Sequence, residues 1–131
     1  MRADFKRGDF KRHSFDVSSE DFASFEKGIV HKVCSTFALG REIEWCSRQF
    51  VLEMIGEDEE GIGTFLEIEH KSPALFGERV EVTAQIESII ENELICEIEA
   101  KVGSRQIARG RTGQKILSKE KINQIFTSLG R

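Results

Sequence analysis

From Gly63 to Leu117 the chain alternates apolar and polar residues with a period of two, and few folds accommodate so long an alternation. Thr64, Leu66, Ile68 and His70 point one way, while Phe65, Glu67, Glu69 and Lys71 point the other. Pro73 and Gly77 mark the turn that ends this strand. Val80, Val82, Ala84, Ile86, Ser88 and Ile90 then line one face of a second strand, with Arg79, Glu81, Thr83, Gln85 and Glu87 opposite. Asn92 marks a tight turn, and Leu94, Cys96, Ile98, Ala100 and Val102 repeat the pattern. Gly103-Ser104 reads as a two-residue hairpin loop before a last strand over 105–117, in which Gly110 and Gly113 are bulge or close-approach points. Strands joined this tightly pair antiparallel and leave one apolar face to be covered.

The cover lies upstream. Leu39, Ile43, Cys46, Phe50 and Met54 recur at spacings of four, three, four and four, which places them on one face of a helix. Ser35 or Thr36 can cap its start and Gly56 can end it, giving a length of roughly 30 Å at 1.5 Å per residue. The spacing therefore predicts an α+β domain, a long curved antiparallel sheet wrapped around a central helix. One strand, near 14–17, precedes the helix and four follow it. Such a sheet has open edges, and pairing across a two-fold axis would close them, so a homodimer is expected, with a tetramer as a further step.

The 131 residues suffice for one domain, expected over 1–131 with a flexible arm at about 1–13. Within that arm Asp4-Phe5-Lys6-Arg7 is echoed by Asp9-Phe10-Lys11-Arg12, and the interleaved Asp charges suit solvent better than phosphate. Ser18 to Asp21 offers a turn or a short helix start, and 30–33 is a short β-prone run. At the other end, Ser118 caps a helix whose Ile122, Ile125, Phe126 and Leu129 are expected to pack on the core.

Composition removes several function classes. A net charge of -4 argues against nucleic acid held by bulk electrostatics, and no apolar run approaches the roughly 20 residues of a membrane span. Cys34, Cys46 and Cys96 are odd in number, lack a Cys-x-x-Cys spacing and follow no secretory signal, so a reduced cytoplasmic setting is expected. His31 and Cys34 form half of a metal motif that no second pair completes, and the acidic run 57–60 lacks the ligand spacing of a calcium loop. No metal is expected.

Three polar residues stand out by position. Thr36 sits at the helix start, where unpaired N–H groups stabilise negative charge; Glu44 lies beside the apolar stripe; His70 follows Leu66 and Ile68 on an apolar strand face. A hydroxyl, a carboxylate and an imidazole are the parts for activating water against a carbonyl. Each also has an ordinary reading: a helix cap for Thr36, an ion pair with Arg41 or Arg48 for Glu44, and a core imidazole for His70.

Thr36 with Glu44-Trp45 downstream, then Gly63-Thr64, His70, Pro73 and Gly77, resembles the fluoroacetyl-CoA thioesterase-like branch of the hot-dog fold thioesterases. The resemblance runs from about Ser14 to the final helix. It implies a homodimeric acyl-CoA thioesterase acting on a small or medium acyl group, with Thr36, Glu44 and His70 matching the family's catalytic residues. Glu44, helped by His70, would activate water or attack to give a mixed anhydride, and backbone N–H groups at the helix start or around Gly63 would meet the oxyanion.

CoA is part of the substrate, so no further cofactor is expected. Its phosphates call for cations, and Arg105, Arg109, Arg111 and Lys115 share a face of the last strand, Arg109 and Arg111 being the expected contacts. Phe37, which also meets substrate on this reading, and Leu75 depart from the family's pattern. Val30 stands where a lid phenylalanine linked with fluoroacetate selectivity would be expected, which argues against fluoroacetyl-CoA as substrate. Two other readings use the same residues: a non-catalytic acyl-CoA or acyl-carrier binding module, and a Cys34 nucleophile paired with His31 or His70.

Overall fold

A computed structural model describes residues 4–25 and 28–130. Strands β1 (Phe10–Asp16), β2 (Phe22–Phe25) and β3 (Gly28–Cys34) precede helix α1 (Thr36–Met54). Strands β4 (Glu59–His70), β5 (Arg79–Ile90), β6 (Glu93–Val102) and β7 (Arg105–Ser118) follow it, and helix α2 (Lys119–Ser128) closes the chain. The main sheet is antiparallel in the order β1-β5-β6-β7-β4, while β2 and β3 pair separately. The expected central helix with one sheet strand before it and four after it is therefore present. The β2–β3 hairpin is an addition to that expectation.

Ser35 accepts a hydrogen bond from the Ala38 N–H at 3.0 Å and is the cap of α1, which leaves the Thr36 side chain available for other work. Leu39, Ile43, Cys46, Phe50 and Met54 are all fully buried, as their spacing requires. They meet Val80, Val82, Ala84 and Ile86 of β5, Leu94, Cys96, Ile98 and Ala100 of β6, and Ile107, Ala108 and Ile116 of β7 in one core. No helix among the described residues is long and apolar enough to cross a membrane.

Five expectations are corrected. Strand β1 starts at Phe10 rather than near Ser14, because its register against β5 runs from Phe10 opposite Gln85 to Asp16 opposite Arg79. The described part of the arm is docked: Phe5 packs edge-on to Phe50 at 5.1 Å, and main-chain bonds join Gly8 and Asp9 to Ile86. Strand β4 begins at Glu59, inside the acidic run, which is partly paired with β7. In β5 a bulge at Glu87 shifts the alternation, so Ile89 packs on the core and Ile90 is 68 % exposed. In α2 only Ile122 is buried; Phe126 and Leu129 are exposed, because the helix lies at the end of β7 rather than across the core.

The glycines of β7 are close-approach points. A Cβ on Gly110 would stand 1.9 Å from the main-chain oxygen of Glu67, and one on Gly113 would stand 2.3 Å from the Phe65 ring. The irregularity of β7 against β6 falls elsewhere, at Ile107.

Candidate active site

The two ends of the edge strand β4 meet α1 differently. At its end, His70 turns toward the first turn of α1, where Thr36 Oγ1 lies 3.0 Å from His70 Nδ1. The other ring nitrogen, Nε2, is buried and has no hydrogen-bond partner among the described residues. Burial holds the His70 pKa below the usual 6.5, with the Ser72 main chain acting the other way. The ring is thus kept neutral near pH 7, with one nitrogen tied to a hydroxyl and the other free for a proton.

Glu44 sits on the exposed side of α1, eight residues and about 12 Å along the axis from Thr36. Neither expected ion pair forms: Arg41 pairs with Asp21 at 3.0 Å, and Arg48 reaches the Gly61 carbonyl at 3.5 Å. Instead Glu44 borders a small cavity with Gly63, Phe65 and Gln114. At Gly63 nothing lies within 4 Å of an added Cβ, and its φ is outside the left-handed region. Neither packing nor conformation requires glycine there, so its effect is to leave room beside Glu44.

A larger cavity of about 620 Å³ opens at the start of α1, lined by Phe22, Ala23, Ser35, Thr36, Phe37 and Arg41 among others. Phe37 is 84 % exposed at its rim. The cavity sets an apolar wall of Phe22, Ala23 and Phe37 beside a helix terminus, which suits a small apolar group carrying a polar carbonyl.

The structure does not bring the arginines to this region. Arg109 donates to Glu69 at 3.1 Å, Arg111 holds Glu87 through two nitrogens at 3.1 and 2.8 Å, and Arg105 donates to Glu78 at 2.6 Å. Arg109, Arg111 and Lys115 do share a face of β7, but the irregularity at Ile107 takes Arg105 out of that register, and each of the three guanidiniums already has a carboxylate. Cys34 is buried beside Asp21, and its pKa is pushed up to about 11, chiefly by burial, so it carries little thiolate. Among the described residues no three metal-ligating side chains gather.

Sequence reasoning passed over Ser47, Thr112 and Gln114, all buried around the cavity behind Glu44. A signal was available: Thr112 and Gln114 hold inward positions of β7 between Ala108 and Ile116, where alternation calls for apolar residues.

The fold is shared with known proteins. A hypothetical protein of Thermus thermophilus described as a thioesterase superfamily member is 34% identical, with a TM-score of 0.88 over 95% of this chain and 93% of that one. A mutant of the fluoroacetyl-CoA-specific thioesterase FlK, in complex with fluoroacetate and CoA, is 22% identical, with a TM-score of 0.82 over 90% and 99%. A hot-dog-like protein from Thermanaerovibrio acidaminovorans is 17% identical, with a TM-score of 0.86 over 95% and 92%. A search of curated proteins returns no significant match. The fold is the hot-dog fold. Residues 17–120, most of the chain, match the sequence profile of the fluoroacetyl-CoA-specific thioesterase FlK, and the chain belongs to that family.

Proposed function

We infer that this protein hydrolyses a small or medium acyl-CoA thioester to the free acid and CoA, using Thr36, Glu44 and His70. The observation that carries the reading is the 3.0 Å contact between Thr36 and His70, a pairing that neither helix capping nor core packing requires. Family membership supports the reaction class, and the FlK relative crystallised with fluoroacetate and CoA supports CoA as the carrier. With valine at position 30, a fluoroacetyl group is not the substrate we propose. The reaction uses no cofactor apart from the CoA of the substrate.

The active form is a homodimer on this reading. Glu44 and Thr36 are further apart on α1 than their two side chains span together, so a site using both is assembled between protomers. The edge of β4, 12 residues long, offers its unpaired N–H and C=O groups to another copy. An antiparallel two-fold pairing centred near Leu66 would set Gly63 and Glu44 of one protomer opposite Thr36 and His70 of the other. Three free cysteines, all buried, fit a reducing cytoplasmic compartment.

In the reaction, the Glu44 carboxylate removes a proton from water as it attacks the acyl carbon, or itself attacks first. His70, neutral and oriented by Thr36, takes over the proton that Glu44 has removed from water and relays it to the leaving sulfur. The test is thiol release from a panel of short, medium and aromatic acyl-CoA thioesters by native protein and Glu44→Ala. Turnover of at least one thioester, lost by roughly a hundredfold in the variant, is expected. No thiol release by native protein would instead leave an acyl-CoA binding module. Mixing Glu44→Ala with His70→Ala protomers should restore activity in hybrid dimers, and failure to do so would sink the composite site.

A further inference from the structure

Two cavities border the residues of the site, and they differ in what they can hold. The one beside Glu44 measures about 70 Å³. At roughly 30 Å³ per molecule of liquid water, that is little more than two waters, too small for an acyl tail. The one at the start of α1 measures about 620 Å³ and has Thr36 in its wall. Clefts of roughly 300–1,000 Å³ take drug-sized ligands, so a two-carbon acyl group would leave most of this one empty. Its aromatic wall extends outward. Phe22 is buried and held edge-on by Phe76 at 5.8 Å, while Phe37 and Phe76 are 84% and 62% exposed. Large apolar side chains gathered round a cleft are the mark of a ligand groove. The polar groups of the wall are already engaged: Ser35 Oγ accepts from the Ala38 N–H, Thr36 Oγ1 meets His70, and Arg41 pairs with the buried Asp21. Charge disfavours an anionic tail as well. Glu20 in the wall, with Asp21 and Glu42 beside Arg41, sets three carboxylates against one guanidinium.

We propose that the acyl group of the substrate is uncharged, apolar and of medium length, and that its tail lies in this cavity against Phe22, Ala23 and Phe37. These three are then specificity-determining residues. The assignment rests on the thioesterase reading above and narrows its acyl range to the longer end. The carbonyl stands at Thr36 and the helix start, where unpaired N–H groups favour its oxygen. The tail leaves water for the aromatic wall, so each buried methylene favours cleavage by about fourfold. A terminal carboxylate on that tail would be buried without a cation of its own.

Thiol release by native protein from acetyl-, butyryl-, hexanoyl- and succinyl-CoA reads size and charge separately. Butyryl and succinyl share a chain length and differ only in ending on a methyl or a carboxylate. Under the proposal kcat/KM rises about fourfold per methylene from acetyl to hexanoyl. Succinyl-CoA falls on the order of tenfold below butyryl-CoA. Phe37→Ala should keep the native melting temperature, since the ring it removes is exposed. It should lower the hexanoyl-to-acetyl ratio of kcat/KM on the order of tenfold. Ala23→Leu, which fills the cavity from β2, should lower the same ratio. A flat or falling chain-length series, succinyl-CoA cleaved as well as butyryl-CoA, or a native ratio in both variants would each overturn the inference and leave the thioesterase reading intact. A native protein that releases no thiol from any acyl-CoA overturns that reading and the acyl assignment with it.

Discussion

Thr36 and His70, 34 positions apart in the chain, meet at 3.0 Å where the first turn of α1 passes the end of β4. The contact ties a helix start to the open edge of the sheet, so the imidazole is held by both. Because burial lowers its pKa, the folded protein binds a proton at His70 later than the unfolded chain does as pH falls. The unfolded chain therefore carries more protons between the ordinary value of 6.5 and the lower folded value, and stability rises with pH across that window. Acidification below 6.5 should thus destabilise the protein until His70 is protonated in both states. The same shift should keep the acid limb of the rate profile below 6.5. Nuclear magnetic resonance titration of the His70 ring gives the check, and a midpoint at or above 6.5 would rule the argument out.

The Thr36 hydroxyl is not the helix cap, since Ser35 fills that place. Replacing Thr36 by Val should therefore cost little stability, less than the ~1 kcal/mol typical of a lost cap, while lowering kcat. Ser35→Ala should do the reverse, reducing the melting temperature with a smaller effect on turnover. Thermal melts and steady-state kinetics on the two variants would expose a wrong assignment if Thr36→Val proved the less stable of the pair.

Two glycines predict opposite outcomes. At Gly110 a methyl group would meet the Glu67 carbonyl at 1.9 Å, backbone that must move to admit it. Gly110→Ala should destabilise by about 1–3 kcal/mol, the usual range for forced overpacking. At Gly63 the added methyl meets nothing, so Gly63→Ala should hold or slightly raise the melting temperature. It should still reduce turnover by crowding the space beside Glu44. Full activity in Gly63→Ala would remove that glycine from the site.

What the sequence makes legible here is what repeats. Leu39, Ile43, Cys46, Phe50 and Met54 announce the helix because burial on one face demands a fixed period, and the long strands announce the sheet likewise. A bulge leaves no such trace: Glu87 adds one residue between two stretches that each alternate correctly, so Ile90 reads as buried until its partner strand is known. The start of β1 is hidden for a related reason, since Phe10 to Asp16 is charged and gains its place from pairing with β5. The amphipathic pattern of α2 is plain, but what covers Phe126 and Leu129 is not written in the pattern. Thr36, Glu44 and His70 were found from position and family resemblance together. The contact of Thr36 with His70 needs the fold, because spacing along a chain says nothing about residues on two different elements.

Cysteine chemistry gives the last contrast. Cys34 stands just before α1, where a nucleophile could be served by a helix terminus, yet it is 1% exposed and its pKa is pushed to about 11. Cys46 is likewise raised to about 11 and Cys96 to about 12, burial being the largest cause for each. At pH 7.5 the thiolate is then a very small fraction of any of them, and alkylation needs both deprotonation and access. Incubation with iodoacetamide at that pH should leave the native protein unlabelled by mass spectrometry over the time in which the urea-unfolded chain takes up three labels. Thiol release should persist through the same incubation. Rapid single labelling at Cys34 with matching loss of activity would restore the cysteine nucleophile and displace Glu44.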